Sequence, residues 1–252
     1  MAGASRPILD HLALGVQDMD EVAQKFSRDL GGREVARFRE PSWDGLQLAF
    51  TGGIRLEVLQ PLEDPKDDFL QRFLEHTGPG PHHVTFKIPD IEATLRELAA
   101  INIEPVKVDL SDPNWKEAFL HPKLGLGTVV QLAEVGGPWA AEHEPAPLAP
   151  GEIAAAFLGA QVRGDVDVAR RIFGDLLEGD AREMSGGAVA FSWDGGGTLL
   201  AQPAGDDRPG VVALVFRGAD ESINPGEEPV FDGPARVVRL GPDGDWPNQA
   251  VR

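Results

Sequence analysis

The chain repeats itself, and the repeat limits what it can fold into. The segment from Asp10 to Asp20 (DHLALGVQDMD) aligns without gaps with that from His82 to Glu92 (HHVTFKIPDIE). Self-similarity of this kind marks a supersecondary unit used twice. In each copy an alternating strand leads to an aspartate, Asp18 or Asp90, placed to accept hydrogen bonds from the unpaired first amides of a helix. The spacing predicts helices over Glu21–Leu30 and Ile91–Ala100, with Val22, Phe26 and Leu30 in one apolar stripe and Ile91, Leu95 and Leu98 in the other. Strands are predicted next at Glu34–Arg39, Leu46–Phe50 and Ile54–Gln60 in the first copy. Those in the second copy are Glu104–Leu110, Ala118–His121 and Thr128–Glu134. Each unit is therefore βαβββ. Gly52-Gly53 reads as a tight turn, and Phe69–Glu75 as a short helix linking the copies.

Residues 138–150 are rich in Pro, Ala and Glu without periodicity and read as a linker. A worn copy follows. Val162 to Asp167, with a helix to Leu177, echoes Val16 to Leu30, and Ala201-Gln202-Pro203 echoes Leu59-Gln60-Pro61. Val212 to Arg217 echoes His82 to Lys87, with Asp220 standing where Asp90 stands. Asn224-Pro225-Gly226 and Pro229 break the helix expected after Asp220. The expected architecture is α+β: paired βαβββ modules (residues 1–137), then a shortened, degenerate copy (151–252).

Strand residues alternate between faces. Leu12, Leu14 and Val16 oppose His11; Leu56 and Val58 oppose Glu57; Val84, Phe86 and Ile88 oppose His83; Val130 and Leu132 oppose Gln131. Four strands thus each present one potential ligand opposite an apolar set. Glu57 follows His11 by 46 residues and Gln131 follows His83 by 48. Two equivalent units about a pseudo-twofold axis would bring the four side chains together. Two imidazoles, a carboxylate and an amide oxygen suit Zn, Mn, Co, Ni or Fe(II). In the worn copy Ala213 stands for His83, Leu199 for Glu57, and Leu158 or Gly159 for His11, so no metal is expected there. His82 and His121 read as cleft-edge groups, His76 and His143 as surface residues.

A formal net charge of -18 and a pI near 4.6 do not suit tracking nucleic acid or an anionic membrane. Without cysteine there are no disulfides and no thiolate ligands or nucleophiles. No apolar run approaches the ~20 residues that span a bilayer, and a soluble cytoplasmic chain, monomer or homodimer, is the expectation.

The segments LDHLALGVQDMDE, IRLEVLQPLED, FLEHTGPGPHHVTFKIPDIEATLREL and FLHPKLGLGTVVQLAE, within residues 8–135, resemble the vicinal oxygen chelate (glyoxalase, bleomycin-resistance, dioxygenase) superfamily. The leader FLEHTGPGPHHVTFKIPDI and the FLHPK turn look most like the methylmalonyl-CoA epimerase branch. The resemblance implies that the paired modules form a half-barrel around a metal cleft, and it carries the metal onto His11, Glu57, His83 and Gln131. It also marks a departure: the family's fourth ligand is a glutamate that moves a proton, and the amide of Gln131 cannot act as a base. The epimerases' partner acid on the third strand has no match, with Gln47 in its neighbourhood. The resemblance implies a metal-dependent enzyme abstracting a proton next to a carbonyl, of epimerase, isomerase or lyase type, on a small oxygen-chelating substrate such as an acyl-CoA. Glu57 is then both ligand and base. Lys87, Gln47, His121 and Trp115 are candidate substrate contacts. A non-catalytic ligand-sequestering protein and an Fe(II) dioxygenase are the alternatives.

Overall fold

The structure is a computed structural model describing residues 6–51, 54–62, 69–136, 155–194, 196–221, 223–230 and 235–248. The Gly52-Gly53 turn, the 138–150 linker and His143 lie outside the described residues.

The first copy runs β1 (Ile8–Gly15), α1 (Met19–Leu30), β2 (Arg33–Arg39), β3 (Trp43–Ala49) and β4 (Arg55–Pro61), followed by α2 (Phe69–Thr77). The second runs β5 (Gly80–Lys87), α3 (Ile91–Ala100), β6 (Lys107–Asp112), β7 (Trp115–Leu120) and β8 (Val129–Val135). β6 starts later than Glu104. Pro105 offers no N–H to a ladder, and pairing begins at Lys107. The remaining strands are β9 (Ala155–Gly164), β10 (Asp180–Glu183), β11 (Val189–Ser192), β12 (Thr198–Pro203), β13 (Gly210–Gly218), β14 (Gly226–Pro229) and β15 (Arg236–Leu240). Between β9 and β10, α4 (Val166–Ala169) passes into a π-helical stretch at Arg170–Leu176. The described residues between Asp220 and β14 form no helix, in keeping with Pro225 there.

Two sheets result, in the orders β2-β3-β4-β1-β5-β8-β7-β6 and β10-β11-β12-β9-β13-β15-β14. The fold is mixed α+β, and the second sheet repeats the plan of the first with one strand fewer.

The repeat persists at atomic level. The Asp18 carboxylate accepts from Glu21 N at 2.9 Å, and that of Asp90 from Ala93 N at 2.8 Å. At the ends of β4 and β8, Gln60 Oε1 accepts from Met19 N and Glu134 Oε2 from Ile91 N, both at 2.8 Å. Each helix start is thus held twice, once by its own cap and once by the strand three residues beyond Glu57 or Gln131. Asp165 caps α4 in the same manner. Gly31 ends α1 in the left-handed conformation (φ 71°), its N–H on Ser27 O and that of Gly32 on Phe26 O.

The chain divides into two compact units, and each draws on both halves of the sequence. One comprises His11–His82, His143–Gly159 and Val212–Arg252. Its core joins Phe26 of α1 and Phe50 to Phe157 of β9 and Phe216 of β13. The Phe157 and Phe216 rings stack at 4.5 Å, with Phe50 at 5.1 Å and Phe26 at 5.9 Å from Phe216. The other comprises Met1–Asp10, His83–Glu142 and Ala160–Val211. There Phe86 of β5 meets Trp193 at 4.9 Å and Phe173 at 6.0 Å.

Phe216 touches three rings and is fully buried. Truncation to alanine removes that packing and leaves a cavity. Phe216→Ala is expected to cost about 3–5 kcal/mol, read as a lower urea midpoint with an unchanged slope. A loss under about 1 kcal/mol would show that the ring cluster is not what holds this unit together.

Candidate metal centre

Parallel pairing sets the candidate ligands. β1 runs beside β4 with His11 opposite Arg55 and Ala13 opposite Glu57. β5 runs beside β8 with His83 opposite Val129 and Thr85 opposite Gln131. In both pairs the second candidate stands two residues beyond the partner of the histidine, so histidine and partner ligand share a face. The opposite faces carry Leu12, Leu14, Leu56 and Val58, or Val84, Phe86, Val130 and Leu132, all fully buried.

His11 (2% exposed), Glu57 (7%) and His83 (5%) each offer one ligand atom, and these atoms lie within 4.8 Å of one another. Among the described residues no other group of histidines and carboxylates does so. His11 Nε2 stands 3.5 Å from Glu57 Oε2. Ligands each about 2.0–2.2 Å from one ion stand about 3–4 Å apart, so this donor set fits a single divalent cation. A buried carboxylate flanked by imidazoles is costly unless matched by hydrogen bonds or a cation. Glu57 Oε1 accepts from Gln47 Nε2 at 3.1 Å, and Gln47 Oε1 from Arg55 Nη1 at 3.3 Å.

Gln131 is equally buried, and its amide is engaged at both ends. Oε1 accepts from Thr85 Oγ1 at 2.7 Å, and Nε2 donates to Glu117 Oε2 at 2.9 Å. Thr85, Arg55 and Glu117 were not singled out from the sequence. Glu117 fell outside the strand predicted at Ala118–His121, whereas β7 begins at Trp115 and brings Glu117 into the alternation.

The candidate substrate contacts are more scattered. Lys87 Nζ pairs with Asp10 Oδ1 at 2.7 Å in a largely buried salt bridge, so its charge is matched within the fold. Trp115 Nε1 donates to Glu117 Oε2 at 3.0 Å. His121 precedes a 3₁₀ turn at Pro122–Leu124, its Nδ1 accepting from Lys123 N. Gln47 lies against Glu57, as described. His82 meets the Phe73 and Phe69 rings of α2 at 4.8 and 5.2 Å. Burial pushes its imidazole down to about 4, against the opposing pull of Glu57. His76 is exposed and bonds Arg72 O. Ala213 and Leu199 are buried apolar residues at the second-half positions.

Residues 10–119 match the family described as the glyoxalase/bleomycin resistance protein/dioxygenase superfamily. Among solved structures, the methylmalonyl-CoA epimerase from Mycobacterium tuberculosis is 24% identical, with a TM-score of 0.48 over 56% of this chain and 97% of its own. Hypothetical protein BH1468 from Bacillus halodurans C-125 is 20% identical, with a TM-score of 0.48 over 52% and 96%. A variant of the Streptomyces coelicolor methylmalonyl-CoA epimerase in complex with 2-nitronate-propionyl-CoA is 18% identical, with a TM-score of 0.47 over 53% and 100%. No curated protein matches the chain.

The cluster predicts metal stoichiometry. Wild-type protein is expected to take up one equivalent of divalent metal by elemental analysis, and His83→Ala to lose it. An Ala213 substitution should leave metal content unchanged. A full equivalent retained by His83→Ala would remove His83 from the ligand set.

Proposed function

We propose that this chain is a divalent-metal-dependent enzyme that removes a proton next to a carbonyl, of epimerase, isomerase or lyase type, on a small substrate bearing two neighbouring oxygens. The convergence of two buried imidazoles and one carboxylate carries this reading, and the match of residues 10–119 to the glyoxalase superfamily supports it. His11, Glu57 and His83, with Gln131 as a fourth candidate, would hold the divalent ion, which would supply Lewis-acid stabilisation of negative charge developing on a substrate oxygen.

The chain's own groups do the rest. Glu57 is the carboxylate in the cluster and the group to take the proton. Its Oε1 accepts from Gln47 Nε2, which orients the carboxylate, and its Oε2 faces His11 Nε2 at 3.5 Å. Burial keeps water from the cluster and strengthens every charge interaction within it. The histidines are ligands, with no role as bases. An acyl-CoA substrate is the form suggested by the epimerase-like motifs.

A second reading is favoured by the donor set itself. Two histidines and one carboxylate are the ligands of non-haem Fe(II) oxygenases. Oxygen uptake dependent on Fe(II), and absent with Co(II) or Ni(II), would select it.

The test is solvent exchange. Protein loaded with each metal in turn is incubated in D₂O with 2-keto acids and acyl thioesters, and deuterium at the α-carbon is read by NMR. Exchange abolished by EDTA is expected. Glu57→Gln should slow it about 10²–10⁴-fold while binding metal better than His83→Ala. Unchanged exchange in Glu57→Gln would place the base elsewhere, and no exchange with any metal would favour the sequestering alternative.

A further inference from the structure

The two copies treat their glutamine and glutamate in opposite ways. In the first, Gln47 lies on β3 and Glu57 on β4; in the second, Glu117 lies on β7 and Gln131 on β8. Both make the same chain of hydrogen bonds: a donor to the glutamine oxygen, then the glutamine nitrogen to the glutamate. The first is Arg55 to Gln47 to Glu57. The second is Thr85 to Gln131 to Glu117.

We propose that Glu117 is a positioning residue for the metal centre, fixing the Gln131 amide so that its oxygen, and never its nitrogen, is presented to the cation. This rests on the metal-site reading above. An amide has two ends of similar shape and opposite polarity. A metal ion accepts only the oxygen, so an amide able to flip spends part of its time offering N–H groups to a cation. A carboxylate accepts and does not donate, so contact with Glu117 pins the Gln131 nitrogen on the β7 side. The oxygen is then left on the side of Thr85, whose hydroxyl donates to it from a fully buried position on the same face as His83.

Glu117 is itself held. Trp115 Nε1 donates to Oε2 at 3.0 Å, and Lys107 Nζ reaches Oε1 at 3.1 Å. Lys107 also lies 5.4 Å from the centre of the Phe119 ring. The carboxylate is 16% exposed, and three donors fix its orientation. A glutamate at position 131 would need no such device, since its two oxygens are equivalent. The arrangement thus accounts for how an amide can take the place of a carboxylate ligand. Outer partners of metal ligands typically govern about 10–100-fold in metal affinity.

The experiment is a competition titration with Co(II) against a chromophoric chelator, which needs no substrate. Glu117→Gln keeps size and hydrogen bonding but can donate as well as accept, so it no longer fixes the flip; Glu117→Ala removes the contact. Both are expected to weaken Co(II) binding about 10–100-fold, with a change in the Co(II) visible spectrum. Gln131→Ala should weaken it comparably, and adding Glu117→Ala to Gln131→Ala should change nothing further, because the glutamate acts through the amide. Glu117→Gln binding Co(II) as wild type would overturn the proposal. So would a Glu117→Ala effect that persists without Gln131, or a metal-free Glu117→Gln protein that melts far below wild type. His83→Ala separates the underlying reading: a retained equivalent of Co(II) there overturns the metal centre, and the role of Glu117 with it.

Discussion

Everything at the candidate site depends on the period of two along a strand, locked by parallel pairing. His11 faces the same way as Glu57 because Ala13 sits beside Glu57, and His83 faces the same way as Gln131 because Thr85 sits beside Gln131. A slip of one residue in either pair would turn the ligands into the core and bring Leu56 and Val58, or Val130 and Leu132, onto the polar face. The register therefore carries the burial energy of those side chains, each contributing on the order of 1.5–3 kcal/mol. Packing and chemistry are set by the same alignment. The caps add to it: Gln60 and Glu134 tie the ends of β4 and β8 to the starts of α1 and α3.

The fold also has to accommodate charge in places from which water is largely excluded. Asp10 and Lys87 neutralise each other at 2.7 Å. Such a pair contributes little net stability, but losing either member strands the other. Glu57 stands instead among two imidazoles and an amide, with His11 Nε2 at 3.5 Å and Gln47 Nε2 at 3.1 Å. That donor set fits a divalent cation. The contrast separates a charge pair that serves the fold from a cluster that suits a ligand.

Much of this could be read from the residues. The gapless match of Asp10–Asp20 with His82–Glu92 announced two equivalent strands, and Asp18 and Asp90 announced their helices. Alternation put His11, Glu57, His83 and Gln131 opposite apolar sets without reference to coordinates. Edges were less legible. β6 begins after Pro105 because a ladder needs N–H donors, and β7 begins at Trp115, where polar residues mask the periodicity. Glu117 was lost to that boundary. The pairing of Lys87 with Asp10 was hidden for another reason: residues far apart in sequence meet only once the strands are arranged, and periodicity carries no information on which partner a cation finds.

Gly15 and Lys87 occupy the same place in the two copies, one without a side chain and the other with one of the longest. A Cβ on Gly15 would stand 2.9 Å from Leu70 Cδ1 and Phe73 Cδ1, the side chains by which α2 settles over Ala13 and Leu59. These twin positions therefore tolerate substitution on unlike terms. The first accepts a side chain only if the Leu70 and Phe73 side chains shift. The second is tied to a residue distant in sequence: replacing Lys87 alone would leave the largely buried Asp10 carboxylate without this cation.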